Sequence, residues 1–344
     1  MAIKIIRGAD EAPIEPLQNR TTAVVGFGNQ GAAHALNLRD SGLDVIVANH
    51  RETPNGRHAV ECGFEPLTIP DAVARADLVL MALPDESQPE LYDSVIAPHL
   101  RDGAVVGFMH GFNIRYGFIK PAQGVGVVMV APKGPGTTLR KLYTEGHGLP
   151  CLLAVAQEVA VTGGGGPCTA EAIALAWANG IGCARAGIVP TSFGDETETD
   201  LFGEQAVLCG GLGALIDAAF RTLCDAGYPP ELAYLECCHE VKQVADLIYE
   251  RGPAGMYEAI SNTAEFGAYR AGTALIDDAV RGRMADLLTQ IRDGTFAAAL
   301  RADHKKGSPW FERCRDAARS HPLERAGRVV RSLMPWLEGK AEQP

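Results

Sequence analysis

Short β-branched runs alternate with segments of helical periodicity through the first half of the chain: Ala23-Val24-Val25, Val45-Ile46-Val47, Leu78-Val79-Leu80-Met81, Val105-Val106, Val125 to Val130 and Leu152 to Val155. This alternation predicts an α/β fold, a doubly wound parallel sheet with crossover helices. From about Thr191 the strands stop, and long helical periodicity over Gln205 to Ala226, Pro230 to Glu250 and Asp277 to Asp293 predicts an all-α domain. At Ile188-Val189-Pro190-Thr191 the last strand-like run meets proline and a Ser/Thr/Asp/Glu stretch able to cap a new helix, which marks the boundary. The expected organisation is an N-terminal domain over 1–191, a helical domain over 192–337 and a flexible tail over 338–344.

The first strand runs into Gly26-Phe27-Gly28-Asn29-Gln30-Gly31, and a helix opens through His34-Ala35-Leu36-Asn37-Leu38. Strand before and helix after are the context a dinucleotide-binding glycine loop requires. Gly26 permits the tight turn, Gly28 lets the backbone approach a pyrophosphate, and Gly31 lets helix pack on strand, so phosphate charge meets a helix N-terminus. A Rossmann-type domain follows. The second strand ends in Ala48-Asn49-His50-Arg51-Glu52-Thr53-Pro54-Asn55, with no Asp or Glu directly at its end to claim a ribose diol. His50, Arg51, Thr53 and Asn55 can donate to a 2′-phosphate, although Glu52 opposes that charge, so NADPH is expected ahead of NADH. The Gly163 to Pro167 run lacks the Gly-Lys-Ser/Thr of a nucleotide loop and reads as a flexible surface insertion.

A length of 344 residues suits two domains, and 47% hydrophobic with 21% charged residues describes a soluble globular chain. The net charge of -11 argues against nucleic acid or an anionic membrane as partner, since phosphate binding needs a concentrated basic face. Nine scattered cysteines without a CxxC, and a start, MAIKIIRGADEAP, without the apolar core of a signal peptide, point to a reducing cytoplasm. No stretch is expected to reach the roughly 18 to 20 apolar residues of a membrane span.

Two clusters sit where strand ends of such a sheet place a ligand: Met109-His110-Gly111-Phe112-Asn113 and Ala131-Pro132-Lys133-Gly134-Pro135-Gly136. Lys133 can donate to an oxygen developing negative charge, and His110 can transfer a proton or pack near the nicotinamide. In the helical half, Asp200 with Glu204 and Glu236 with Glu240 are carboxylate pairs at i, i+4 spacing beside apolar stripes. That spacing advances about 6 Å and returns to one helix face. Four hard oxygen ligands suggest two divalent cations, Mg²⁺ by default.

The blocks GFGNQG, LPDE, HGFNI, APKGPG, DETETDLFGEQAVLCGG, AYLECCHE and ISNTAE together resemble ketol-acid reductoisomerase, from roughly Ile5 to Leu337, in its short form with one helical domain. The resemblance implies a Mg²⁺-dependent alkyl shift in a 2-acetyl-2-hydroxy acid, then hydride reduction to a 2,3-dihydroxy acid, in valine and isoleucine biosynthesis. It implies that Asp200 bridges two ions, that Glu204 holds the first and Glu236 and Glu240 lie beside the second, with Glu240 also catalytic. Lys133 would support that cluster, Ser261 would bind the substrate carboxylate, and Gly136 would join the cofactor residues. It further implies a homodimer with shared active sites, in which Glu236, Glu240 and Ser261 come from the partner subunit and the helical domain is knotted or interlocked. Assembly beyond the dimer stays open.

Four positions depart from the family pattern: Asn29 where serine is usual, Ala32 and Thr137 where histidine is usual, and Gly194 where lysine is usual. They cluster around the cofactor loop and the APKGPG segment, and bear on cofactor preference and substrate range more than on reaction type. The alternatives are a specialised paralogue acting on a related acyloin, and a metal-free NAD(P)H-dependent hydroxyacid or imine reductase, which would not need four acids. A cofactor-binding scaffold would have lost some of Lys133, Asp200, Glu204, Glu236, Glu240 and Ser261, and all six are present.

Overall fold

The structure, a computed structural model, describes residues 4–162 and 166–337; the expected tail over 338–344 and residues 163–165 of the glycine-rich insertion lie outside the described residues. Among those described, nine strands are formed: β1 Thr21–Val25, β2 Asp44–Ala48, β3 Leu78–Met81, β4 Val105–Phe108, β5 Gly126–Pro132, β6 Cys151–Gln157, β7 Ala160–Val161, β8 Cys168–Thr169 and β9 Ile188–Pro190. Seven make one sheet in the order β2-β1-β3-β4-β5-β6-β9, while β7 and β8 form a separate antiparallel pair.

The sheet is parallel except between β5 and β6, which the parallel expectation missed. The reason lies in the connection. Pro132 pairs with Cys151, so β6 begins at the edge of the sheet where β5 ends. The helix Gly136–Thr144 between them stops at Gly146, φ +82°, and the chain turns back without crossing the sheet. An antiparallel neighbour results.

Side chains alternate between two cores. Val24, Leu78, Leu80, Val105, Val128 and Val130 join Trp177 on one face, and Ala23, Val25, Val79, Met81, Val106, Phe108 and Met129 pack on the other. Period-two alternation within strands covered on both faces accounts for the continuous apolar runs in the sequence.

His34 lies in the first core, fully buried, and its Nδ1 accepts from Trp177 Nε1 at 2.9 Å. Indole N–H only donates, so the ring proton sits on Nε2, which has no partner among the described residues. Burial lowers the pKa of His34 from 6.5 to about 3. The unfolded chain therefore takes up a proton near pH 6.5 that the folded chain refuses, and stability falls as pH drops below that value. Between neutral pH and pH 4.5 this one residue is expected to cost about 2–3 kcal/mol. Urea unfolding of the wild type and His34→Gln across that range measures it; the variant's stability should fall less steeply.

The chain divides into two compact units between Thr197 and Glu198, six residues beyond the boundary expected from composition. The second unit is all helical, as the periodicity predicts. The helix Phe193–Gly203 runs through a π-helical turn, Glu204–Leu208, into Gly210–Asp225. Pro230–Tyr234 leads through a second π-helical turn, Leu235–His239, into Val241–Ala259, which is broken at Gly252 before Pro253. Five further helices lie between Asn262 and Arg331. Phe220, Ala233, Tyr234, Ala326 and Val330 form a small core.

One expectation is corrected here. The continuous helix Phe193–Asp225 is long and apolar enough to cross a membrane by length and composition alone. The apolar stretch falls within Gln205 to Ala226, where Asp217 and Arg221 alone carry charge before the final turn, so the mean hydropathy stays high although no 18-residue run is free of charge.

Candidate active site

Gly26 has φ +100°, and a Cβ there would lie 2.3 Å from the Ala82 carbonyl oxygen at the end of β3. A Cβ on Gly31 would lie 2.3 Å from the Gly26 carbonyl oxygen, so helix and strand meet backbone to backbone. At Gly28 the nearest atom to such a Cβ is Asn55 Nδ2 at 3.9 Å, which leaves the space a pyrophosphate needs. Gly28 also caps the helix Asn29–Asp40 without a side-chain bond, so its first N–H groups face outward for an anion. The Phe27 ring turns inward, edge-on to Phe64 at 5.6 Å, and this residue offers only its backbone. Gly28 to Gly31, Ala82, Leu83, Asp85 and His110 all line one pocket.

The loop after β2 is less open than the sequence suggests. Thr53 Oγ1 accepts from Gly56 N at 3.0 Å and donates to the His50 carbonyl at 2.8 Å, so its hydroxyl caps the helix Pro54–Glu61. Arg51 pairs with Glu65 at 3.3 Å on the surface. Gly56 packs onto His50, where a Cβ would come within 2.0 Å of the carbonyl oxygen.

At the end of β4, the side of the site opposite β2, a single carboxylate organises three donors. Glu196, 1% exposed, accepts from His110 Nδ1 at 3.1 Å, from Gly111 N at 2.9 Å and from Lys133 Nζ at 3.1 Å. Burial pushes the Glu196 carboxyl up. The His110 hydrogen bond and charge, the Lys133 ammonium and the Gly111 N–H outweigh it and hold the group below the usual carboxylate range. With Nδ1 donating to the carboxylate, Nε2 is the His110 nitrogen that can exchange a proton with a ligand. The helix Phe193–Gly203 reaches Glu196 to this point because Gly111 admits it: a Cβ there would lie 2.4 Å from Thr197 Oγ1. A polar brace steadies the neighbouring LPDE turn, Asn113 Nδ2 donating to the Asp85 carbonyl at 3.0 Å and to Gln88 Oε1 at 3.1 Å.

Sequence reasoning named His110 and Lys133 and missed Glu196, Asp85 and Gln88. The signal for Glu196 was present: it precedes Asp200 by four residues, the spacing that singled out the two carboxylate pairs. Asp200 lies one turn further along the same helix, and Glu204 opens the first π-helical turn. Glu236 falls within the second and Glu240 directly follows it. Such turns recur at functional sites. Glu204, Glu236 and Glu240 are exposed in the single chain. Ser261 is exposed and caps the helix Asn262–Leu275, accepting from Ala264 N at 3.2 Å. That leaves the hydroxyl proton for an acceptor.

Residues 16–187 match the NADPH-binding domain of acetohydroxy acid isomeroreductase, and residues 193–336 match the C-terminal domain of ketol-acid reductoisomerase. The chain is similar to the structure of an NADH-preferring ketol-acid reductoisomerase from an uncultured archean, with 40% identity over 96% of this chain and 99% of that one, and a TM-score of 0.92. It shares a fold with a semialdehyde dehydrogenase NAD-binding protein from Cupriavidus necator (18% identity, 80% and 99% of the two chains, TM-score 0.58). A pyrroline-5-carboxylate reductase from Coxiella burnetii is similar in fold as well (15%, 80% and 98%, TM-score 0.52). With matched domains over nearly its whole length and a glycine loop shaped for a dinucleotide, the chain belongs to the ketol-acid reductoisomerase family of NAD(P)H-dependent enzymes.

Proposed function

We propose that this protein converts 2-acetolactate or 2-aceto-2-hydroxybutyrate to the corresponding 2,3-dihydroxy acid, a Mg²⁺-dependent alkyl migration followed by hydride reduction, in valine and isoleucine biosynthesis. The observation that carries the reading is the buried Glu196 holding both His110 and Lys133 beside the dinucleotide pocket. A metal-free reductase would have no use for the carboxylates that follow along the same helix.

The donor set suits Mg²⁺. Glu196 already accepts from three donors and serves to orient them, whereas Asp200, Glu204, Glu236 and Glu240 are hard oxygen ligands on helices that end or begin at π-helical turns. When bound there, two Mg²⁺ ions supply Lewis acidity to the substrate's hydroxyl and carbonyl. The chain's own residues do the rest. Lys133 donates to the carbonyl oxygen that gains charge as the alkyl group arrives at its carbon, and Glu196 keeps that ammonium in place. His110 supplies a proton through Nε2 to the oxygen of the reduced carbon. The glycine loop fixes the hydride donor, and the Ser261 hydroxyl binds the substrate carboxylate.

A second copy of the chain completes this reading. The helical unit on its own exposes Leu208 (66%), Tyr249 (82%) and Phe266 (66%), large apolar surface that a homodimer with shared sites would cover. The cofactor is read as NADPH or NADH. Arg51 can meet a 2′-phosphate, but Thr53 is already engaged, and the similar archaeal structure is of an NADH-preferring enzyme.

The test is oxidation of NADPH and of NADH, followed at their absorbance band with 2-acetolactate and Mg²⁺, then with the metal chelated. Turnover that chelation abolishes is expected with both cofactors. Turnover that survives chelation, or none at all with intact cofactor binding, would overturn the reading.

A further inference from the structure

Two loops that the reaction uses separately are tied together by one side chain. Gln30 Nε2 donates to the Gly134 carbonyl at 3.0 Å, across 104 residues of sequence. Beside that bond, Gly136 packs on the glycine loop so closely that a Cβ would lie 2.0 Å from the Asn29 carbonyl oxygen and 2.9 Å from Gln30 N. Gln30 stands in the first turn of the helix Asn29–Asp40, among the N–H groups that face a cofactor pyrophosphate. Gly134 directly follows Lys133, whose own N–H donates to the Pro150 carbonyl at 2.9 Å. The backbone at Lys133 is therefore held on one side by the lead-in to β6 and on the other by Gln30. Its ammonium then meets Glu196 at 3.1 Å.

We propose that Gln30 is a positioning residue which transmits occupancy of the cofactor loop to Lys133. Resting on the role given to Lys133 above, the idea adds a direction of coupling: a pyrophosphate that fixes the Gln30 backbone also fixes the amide that holds Gly134, and with it the Lys133 backbone. The amide has one bond to lose, because Gln30 Oε1 is buried with no hydrogen-bond partner among the described residues. By reciprocity, a ligand that orders the Lys133 loop tightens the grip on cofactor.

Hydrogen exchange of the full-length protein, with and without NADPH, reads this without turnover. In the wild type, NADPH should slow exchange both in the helix 29–40 and in 136–142. In Gln30→Met the first effect should remain, and the second should shrink by about three- to tenfold, the scale of one neutral hydrogen bond. Gln30→Leu is close in size, lacks the donor and adds no charge beside the pyrophosphate, so it should behave alike, which covers misfolding of the first variant. In turnover, kcat should fall by a similar factor, and the KM for NADPH should rise by no more than that factor, the reciprocal share of the same coupling. Protection of 136–142 that is absent in the wild type, or unchanged in both variants, overturns the coupling. Failure of the wild type to turn over 2-acetolactate would instead defeat the function reading and leave the exchange result to decide the tether.

Discussion

Glu196→Gln is expected to lower kcat by about 10²–10³-fold while leaving the fold and cofactor binding in place. The carboxylate serves three donors at once, His110 Nδ1, Gly111 N and Lys133 Nζ. A glutamine of the same size offers one acceptor oxygen and turns an N–H₂ toward one of these donors. Either Lys133 or the His110 and Gly111 pair then loses its partner, and a buried donor without one costs about 1–3 kcal/mol. Steady-state kinetics on a variant whose circular dichroism matches the wild type decides the matter; a loss smaller than tenfold would show that Glu196 is only structural. The acid limb gives a second check. A Glu196 carboxyl held below the usual range stays ionised as pH falls through its ordinary value of 4.5, so its contribution is whole above that value and disappears only below it, as pH passes through the depressed folded value.

Asp200→Asn carries the largest expected effect, loss of both alkyl migration and reduction to below detection, because Asp200 would supply charged oxygen to the Mg²⁺ ions and an amide would hold them far more weakly. Glu240→Gln is its counterpart: reduction of a pre-rearranged 2-keto acid should survive better than isomerisation. Measuring the two half-reactions separately, with Mg²⁺ titrated, distinguishes the schemes. Residual activity in Asp200→Asn equal to that of Glu240→Gln would refute the two-ion scheme.

Much of this arrangement is legible in sequence, for identifiable reasons. Buried parallel strands announce themselves as β-branched runs, and in the glycine loop a Cβ on Gly26 or Gly31 would lie 2.3 Å from a backbone oxygen, so both leave local marks. Thr53-Pro54 is a visible helix start, and a threonine at such a start already has its hydroxyl engaged in the cap. The direction of β6 was not legible, since it depends on where the chain re-enters the sheet after Gly146. Glu196 was hidden among the acids of DETETD, because what distinguishes it is burial beneath Gly111 rather than its neighbours in the chain. The π-helical turns have no pattern of their own in a window tuned to 3.6 residues per turn.

Those turns carry a consequence for how the family's length can vary. Each holds one residue more than an α-helical turn, so removing a single residue from Glu204–Leu208 or Leu235–His239 would restore a regular helix. Everything beyond would then rotate by about 100° and retreat by about 1.5 Å along its axis. A substitution in Gly210–Asp225 changes one position, whereas an insertion or deletion in either turn moves whole helix faces at once.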